Sequence, residues 1–415
     1  MIDYKKEQIE KLSSKIDNIK DLVETICLSD FNKTAKKQIL VDISGIINFD
    51  PKTGISRVVK SQFIKLYELN QNLYKIKAVY LKKINENYYY FYANSYMKNI
   101  LKLDIKNSQD SQIVLNKDDI FYISDLSSQT IQLALNEKVY EKYKYLGVKI
   151  VFLVYDLLPI KYPHFFRENQ DKIHQKWLED ISSISSYFIT ISNSVAKDLK
   201  NWLNSYNPNN DAIIKTIHLG ADFPSIDISF FETKTYIASQ NINFLVVSTI
   251  EPRKAHKQLL EAFEILWKTN KNINLHIVGK KGWLVDKLIS KIQNHQFLNK
   301  LLFYYDFVDD KQLKDLYKNS DALIVPSYDE GFGLPIIEAA FYKKPIITRD
   351  IEVFHEVATT HAFYFKNTQN PKDISDALTH WIKLYKENSH PKSDYLKSLS
   401  WENNAKITFD YLSSL

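Results

Sequence analysis

Glycine is scarce in this chain, at 8 of 415 residues, against an ordinary share of about 7%. Each glycine is therefore read as placed rather than as filler. Cysteine is nearly absent. The single Cys27 excludes an internal disulfide framework and suits a reducing cytoplasm. No stretch reaches the roughly 18 consecutive apolar residues that a membrane-spanning helix needs, and the opening Met-Ile-Asp-Tyr-Lys-Lys lacks the pattern of a signal peptide. A cytoplasmic protein is expected. The ten histidines show no ligand spacing, so neither a metal nor any other cofactor is expected. No strong charge imbalance is present either. A net charge of +6, from 55 Lys and Arg against 49 Asp and Glu, gives no reason to expect a nucleic-acid partner. It leaves open a peripheral contact with an anionic membrane surface.

What remains, 45% hydrophobic and 25% charged residues, is the composition of a globular protein, and this length implies two domains of about 200 residues each. Residues 1–37 carry a narrow apolar stripe at helical spacing, Ile9, Leu12, Ile16, Ile19, Leu22, Val23 and Ile26. That pattern predicts a helical extension lying on the main body or pairing with a second copy; it lacks the Trp or Phe anchors of a membrane-surface helix.

From Gln38 the pattern alternates between short apolar runs and amphipathic stretches. Strands are predicted at 39–43, 74–80, 87–92, 120–123, 148–155, 187–191 and 213–218, then at 244–248, 274–278, 301–305, 322–325, 345–348 and 362–365. Helices fall between, near 54–69, 127–144, 170–185 and 193–203. Strands alternating with helices predict parallel sheets covered on both faces, with ligands at the carboxyl ends of the strands. The expected division is a first domain over 38–223, a linker over 224–241, a second domain over 242–395, and a last helix over 396–415 that crosses back to the first domain. The aromatic run Tyr88–Tyr92 reads as a strand of a small sheet rather than as a sugar platform.

The most informative segment is Ser327-Tyr-Asp-Glu330-Gly-Phe-Gly-Leu-Pro-Ile-Ile-Glu338, which follows the buried run Ala322–Val325. A strand, a tight loop and a helix start fit that order. Gly331 and Gly333 permit close backbone approach to a ligand, and a helix N-terminus offers N–H groups to phosphate. Glu330 in the loop and Glu338 on the helix supply acceptors for sugar hydroxyls. A nucleotide sugar has both kinds of group. Arg253 and Lys254 follow the first strand of the second half, where adjacent cations can neutralise a diphosphate. By contrast, Asp309-Asp310 precedes a helical stretch and reads as an N-cap, not as a metal-binding acid pair.

Taken together, Ser248-Thr-Ile-Glu-Pro-Arg-Lys254, Val278-Gly-Lys-Lys-Gly-Trp283 and Glu330–Glu338 resemble the second domain of glycosyltransferase family 4, retaining enzymes of the GT-B fold. In the first half Thr53-Gly-Ile-Ser-Arg57, Tyr155–Pro163, Ile191-Ser-Asn-Ser194 and His218–Asp222 stand in the matching order. The resemblance implies two Rossmann-like, doubly wound parallel-sheet domains facing across a cleft. It implies that Arg253 and Lys254 hold the donor diphosphate, that Glu330 contacts the transferred sugar, and that the amides of Gly331, Phe332, Gly333 and Leu334 meet its phosphate. Glu338 then takes the ribose hydroxyls, Gly54 closes over the diphosphate from the first domain, and Phe307 and Val308 border the nucleobase. Tyr155 stands where many members have histidine, which leaves Asp156 as the first-domain polar contact. Ser248-Thr249 replaces the common Gly-Arg, which leaves Arg253 as the substitute cation. The first-domain pattern resembles bacterial O-antigen and capsule mannosyltransferases. It implies transfer from a GDP-mannose-like donor to a glycan or lipid-linked glycan acceptor, without metal. A UDP-glucose or UDP-N-acetylglucosamine donor, a sugar-nucleotide epimerase of similar shape and a non-catalytic scaffold are the alternatives.

Overall fold

The computed structural model describes residues 2–32, 34–48, 50, 53–69, 74–221 and 241–415. The expected linker at 224–241 lies outside them except for Asn241.

Two sheets organise the chain. The first contains β1 (Lys37–Asp42), β2 (Tyr74–Ile84), β3 (Asn87–Tyr92), β4 (Ile120–Ile123), β5 (Lys149–Val154), β6 (Tyr187–Thr190) and β7 (Ile213–Thr216), in the spatial order β3-β2-β1-β4-β5-β6-β7. Only β2 and β3 run antiparallel, with Tyr80 opposite Phe91. The second contains β8 (Ile242–Val247), β9 (Ile273–Val278), β10 (Leu302–Tyr305), β11 (Ala322–Val325), β12 (Ile346–Arg349) and β13 (Phe363–Phe365), all parallel, ordered β10-β9-β8-β11-β12-β13. Strand runs such as Ile-Leu-Val and Ala-Leu-Ile-Val are buried on both faces because helices cover both. In each sheet the order reverses once, between β1 and β4 and between β8 and β11. A crevice opens at such a reversal, because the connections leave to opposite sides.

The N-terminal extension is two helices, Ile2–Ser13 and Ile19–Cys27. They split the predicted stripe. Leu12 and Ile16 are buried in the first-domain core, whereas Ile19 and Val23 are 77% and 52% exposed. Lys142 pairs with Glu24, and Lys138 lies 2.9 Å from Asp21, so charge as well as apolar contact holds the extension to the first domain. The single helix predicted near 127–144 is two, Ser128–Asn136 and Val139–Tyr145, broken at Lys138 with φ 51°. Among the described residues no helix is long and apolar enough to cross a membrane.

The last helix, Trp401–Ser414, packs on Gly54–Glu68 of the first domain. Buried Asn404 bonds both the Gln62 amide, at 2.9 Å, and the His218 carbonyl, at 2.8 Å. Gly220 reads from sequence as a plain turn residue, but it is where this helix docks: an added Cβ would lie 2.6 Å from the Trp401 nitrogen. Asn404→Ala is expected to lower unfolding stability by about 1–3 kcal/mol, since it leaves buried polar partners unmet. Urea unfolding checks this, and an unchanged midpoint would show that the bonds of Asn404 do not stabilise the crossing helix.

Candidate active site

Glu330 and the Arg253–Lys254 pair come from the two strands that flank the reversal in the second sheet, β11 and β8. After β8 the chain enters a single turn, Pro252–Lys254, with Ala255 in the left-handed region at φ 54°. That turn aims two successive cations inward. Lys254 Nζ lies 2.5 Å from Glu330 Oε1 and Arg253 Nη1 lies 2.9 Å from Oε2. Arg253 also donates to the Asp329 carbonyl at 2.7 Å and to Glu251 Oε1 at 2.7 Å. The four side chains alternate in sign, Glu251, Arg253, Glu330 and Lys254, and all are largely buried. Burial works to raise the Glu330 pKa, but Lys254 and Arg253 outweigh it and bring it down to about 2. Burial raises that of Glu251 despite Arg253. Behind them His256, with Nε2 3.2 Å from Ser248 Oγ, is held neutral by burial and by Lys254, with a pKa lowered to about 3.

Glu338 sits one turn into the helix Leu334–Phe341. Tyr317 donates to its Oε2 at 2.7 Å, and Arg57 of the first domain pairs with Oε1. Burial raises the Glu338 pKa even so. Gly54 opens the helix that carries Arg57 and faces the start of the Glu338 helix: a Cβ added to Gly54 would stand 3.7 Å from Leu334 Cδ1. The two helix N-termini thus meet across the cleft.

Gly331 backs onto the first domain. A Cβ there would lie 2.2 Å from the Tyr155 carbonyl oxygen and 3.3 Å from Asp156 Cβ, so only glycine fits while the domains are in contact. Asp156 accepts from the Leu158 amide at 3.0 Å and contributes to the field on Arg253. Phe332 points away from the loop into the interface, edge-on to His218 at 5.4 Å, so it offers its backbone and not its ring. Gly333 caps the helix in the left-handed region at φ 102°. Phe307 is 57% exposed after β10, within 5.6 Å of Lys280 Nζ, with Val308 packed against the core beside it. Asp309 caps a helix in a capping box with Gln312, as its sequence context predicts. Among the described residues no group of three His, Cys, Asp or Glu side chains is placed to hold a metal ion.

Sequence reasoning missed several cleft residues. Arg57 and Glu251 lay within quoted motifs without a role. Lys161 bridges Asp198 at 2.7 Å and Asp329 at 3.0 Å. Glu356 accepts from the Asn193 and Ser194 amides at 2.7 and 3.1 Å and meets His218 at 2.6 Å. Trp283 donates to the Phe165 carbonyl at 2.8 Å and stacks on Phe166. The contacts Arg57–Glu338, Lys161–Asp329, those of Glu356 and Trp283–Phe165 join the two domains, and no local pattern announces them.

Residues 227–395 match the family model described as glycosyl transferases group 1. That span takes in the second domain, which is similar to this family. Over 387 residues the chain is 37% identical to the serotype-specific mannosyltransferase WbdA of Escherichia coli, covering 90% of this chain and 46% of that protein. It is 28% identical to the O-antigen chain mannosyltransferase RfbU of Salmonella typhimurium over 263 residues, 63% of this chain and 68% of the relative. These likenesses bear out the resemblance to O-antigen mannosyltransferases. The chain spans about half the length of the WbdA proteins it matches. Anabaena HepE, solved with UDP and glucose, superposes with a TM-score of 0.60 at 12% identity, over 91% of this chain and 100% of HepE. Sucrose-phosphate synthase of Thermosynechococcus elongatus gives 0.54 at 14%, over 71% and 73%. The fold is GT-B, as the motif order implied.

The buried pairing has a consequence for acid stability. A pKa of about 2 in the folded state, against 4.5 ordinarily, means that the ion pairs contribute fully above about pH 4.5. That contribution is lost as pH falls toward 2. Glu330→Gln is therefore expected to be less stable than the parent at neutral pH, with the gap narrowing as the pH is lowered below about 4.5. Denaturant unfolding of both proteins across that range checks it, and a gap independent of pH would mean that the charge of Glu330 is not what stabilises.

Proposed function

We propose that this chain is a glycosyltransferase moving a sugar from a nucleoside diphosphate to a glycan or lipid-linked glycan in surface polysaccharide synthesis. GDP-mannose is the favoured donor, and the anomeric configuration is retained. The observation that carries the reading is the buried Glu330–Lys254–Arg253 cluster, built at the strand-order reversal of a domain similar to the group 1 glycosyltransferases and facing a second domain. The mannosyltransferase names of the relatives support the sugar. The UDP of HepE belongs to a protein alike in fold alone, and a UDP-sugar donor stays the second reading.

In this reading Glu330 accepts hydroxyls of the transferred sugar, Lys254 and Arg253 meet the diphosphate, Glu338 takes the ribose hydroxyls, and Phe307 and Val308 flank the base. Asp156 and Gly54 close the site from the first domain. The C1–O bond to phosphate breaks as the acceptor oxygen bonds C1 on the same face, and the acceptor proton passes to the departing phosphate oxygen. The protein's part is preorganised charge around the leaving group and exclusion of water by domain contact. No cation is assigned a step. A cytoplasmic location, with peripheral contact at the inner membrane face, fits a soluble donor and a lipid-linked acceptor.

A thermal-shift screen of nucleotide sugars is expected to raise the melting temperature most with GDP-mannose, because a bound donor stabilises by mass action. Stabilisation by UDP-sugars alone would reverse the donor assignment. With the donor so identified, Lys254→Ala is expected to lower kcat/KM by roughly 10²-fold, the size of losing one preorganised charge contact. Unchanged kinetics would remove the diphosphate role. Transfer is expected to persist in EDTA; abolition restored by Mn²⁺ or Mg²⁺ would contradict the metal-free reading.

A further inference from the structure

The Arg57–Glu338 pair is the least economical contact in the site if it is permanent. Glu338 is the carboxylate that the proposed function assigns to ribose, yet both its oxygens are taken, one by Tyr317 and one by Arg57. The two partners differ. Tyr317 is fully buried on the same domain, whereas Arg57 reaches over from the other domain and its side chain is 32% exposed against 6% for Glu338. A buried carboxylate stripped of its partner is costly, so Arg57 can leave only when other donors arrive at Oε1. A ribose diol supplies two.

The backbone geometry gives Arg57 a place to go. Gly54 and Arg57 lie one turn apart on one face of the first-domain helix, and Leu334 and Glu338 lie one turn apart on one face of the second-domain helix. Gly54 faces Leu334, and Arg57 meets Glu338. The guanidinium is thus one helical turn from the gap between the two helix starts, where N–H groups from both domains and the positive ends of both helix dipoles converge. An arginine leaving a carboxylate there finds the diphosphate within a side chain's reach, and its planar fork suits phosphate oxygens.

We propose that Arg57 is a donor-exchange residue: without donor it neutralises Glu338 and holds the domains together, and on binding it yields Glu338 to the ribose and moves to the diphosphate. The exchange keeps both Glu338 oxygens hydrogen-bonded and Arg57 paired with an anion in both states. It also lowers the cost of undoing the domain contact, since Arg57 trades the carboxylate for the diphosphate while the diol supplies donors to Glu338. This inference rests on the nucleotide-sugar reading of the same site.

The test compares a nucleoside with its diphosphate, guanosine with GDP and uridine with UDP, by ligand-observed NMR and calorimetry. In Arg57→Ala the diphosphate is expected to bind roughly 10-fold or more weakly, the loss of one charge-assisted contact, while the nucleoside binds as well as or better than in the parent. The affinity ratio therefore falls. Arg57→Lys keeps the charge without the fork and is expected to fall between. In Glu338→Gln the nucleoside loses affinity while Arg57 is released toward phosphate, so the ratio rises. If Arg57 merely positions Glu338, both ligands weaken together in Arg57→Ala and the ratio stays constant, which overturns the proposal. The Glu338→Gln ratio decides the matter should Arg57→Ala fail to fold: a fall or no change there overturns it too. Parent protein that binds neither diphosphate overturns the nucleotide-sugar reading itself, a result distinct from binding with an unmoved ratio.

Discussion

A carboxylate buried between two domains persists only if its charge is met, and the structure depends on how Glu330 is met. Two cations from one tight turn, Arg253 and Lys254, close on both its oxygens, and Arg253 is itself shared with Glu251. The turn can do this because β8 and β11 are neighbours at the point where the sheet order reverses, so their loops open toward the same crevice. Fold and charge cluster therefore imply each other. A parallel sheet of another strand order would place these loops apart and leave Glu330 in need of another partner.

The same constraint spreads across the cleft. Three other acids of the second domain are answered from the first: Glu338 by Arg57, Asp329 by Lys161, and Glu356 by His218 and the amides of Asn193 and Ser194. Lys197 adds a pair with Glu352 at 2.9 Å. Exposed pairs of this kind contribute little to stability. Their value lies in register, because they fix which loops of the two sheets face one another. Gly331 completes the fit by allowing the loop Glu330–Leu334 to touch the Tyr155 carbonyl. A site assembled from polar contacts between domains can be loosened by a ligand that offers the same contacts, which an apolar interface would resist.

What the sequence disclosed follows from locality. Strand and helix order, the cap at Asp309, the loop Glu330–Leu334 and the helix start at Gly54 all rest on patterns within a dozen residues, and they were legible; that Gly54 faces the second domain came only from the family resemblance. The pairing of Lys254 with Glu330 across 76 positions was legible only as two cations and an acid awaiting a common ligand; that they bind one another in its absence was not. Tyr317 and Lys161 carry no local mark, since an exposed and a buried or half-buried use of either residue look alike in a helix pattern. The role of Gly220 was misread for the same reason: the Trp401 that crowds it lies 181 positions away. The extension was read correctly as helical but as one stripe, because periodicity survives a two-helix break that only packing reveals.

Amide hydrogen exchange with and without a nucleoside diphosphate tests the central claim, that one ligand is held jointly by both domains at the Glu330 cluster. Protection is expected together at residues 327–338 of the second domain and 53–58 of the first, with no comparable change at the far edge of either sheet. Protection confined to the second domain, or absent from both segments at a saturating concentration, would contradict the account.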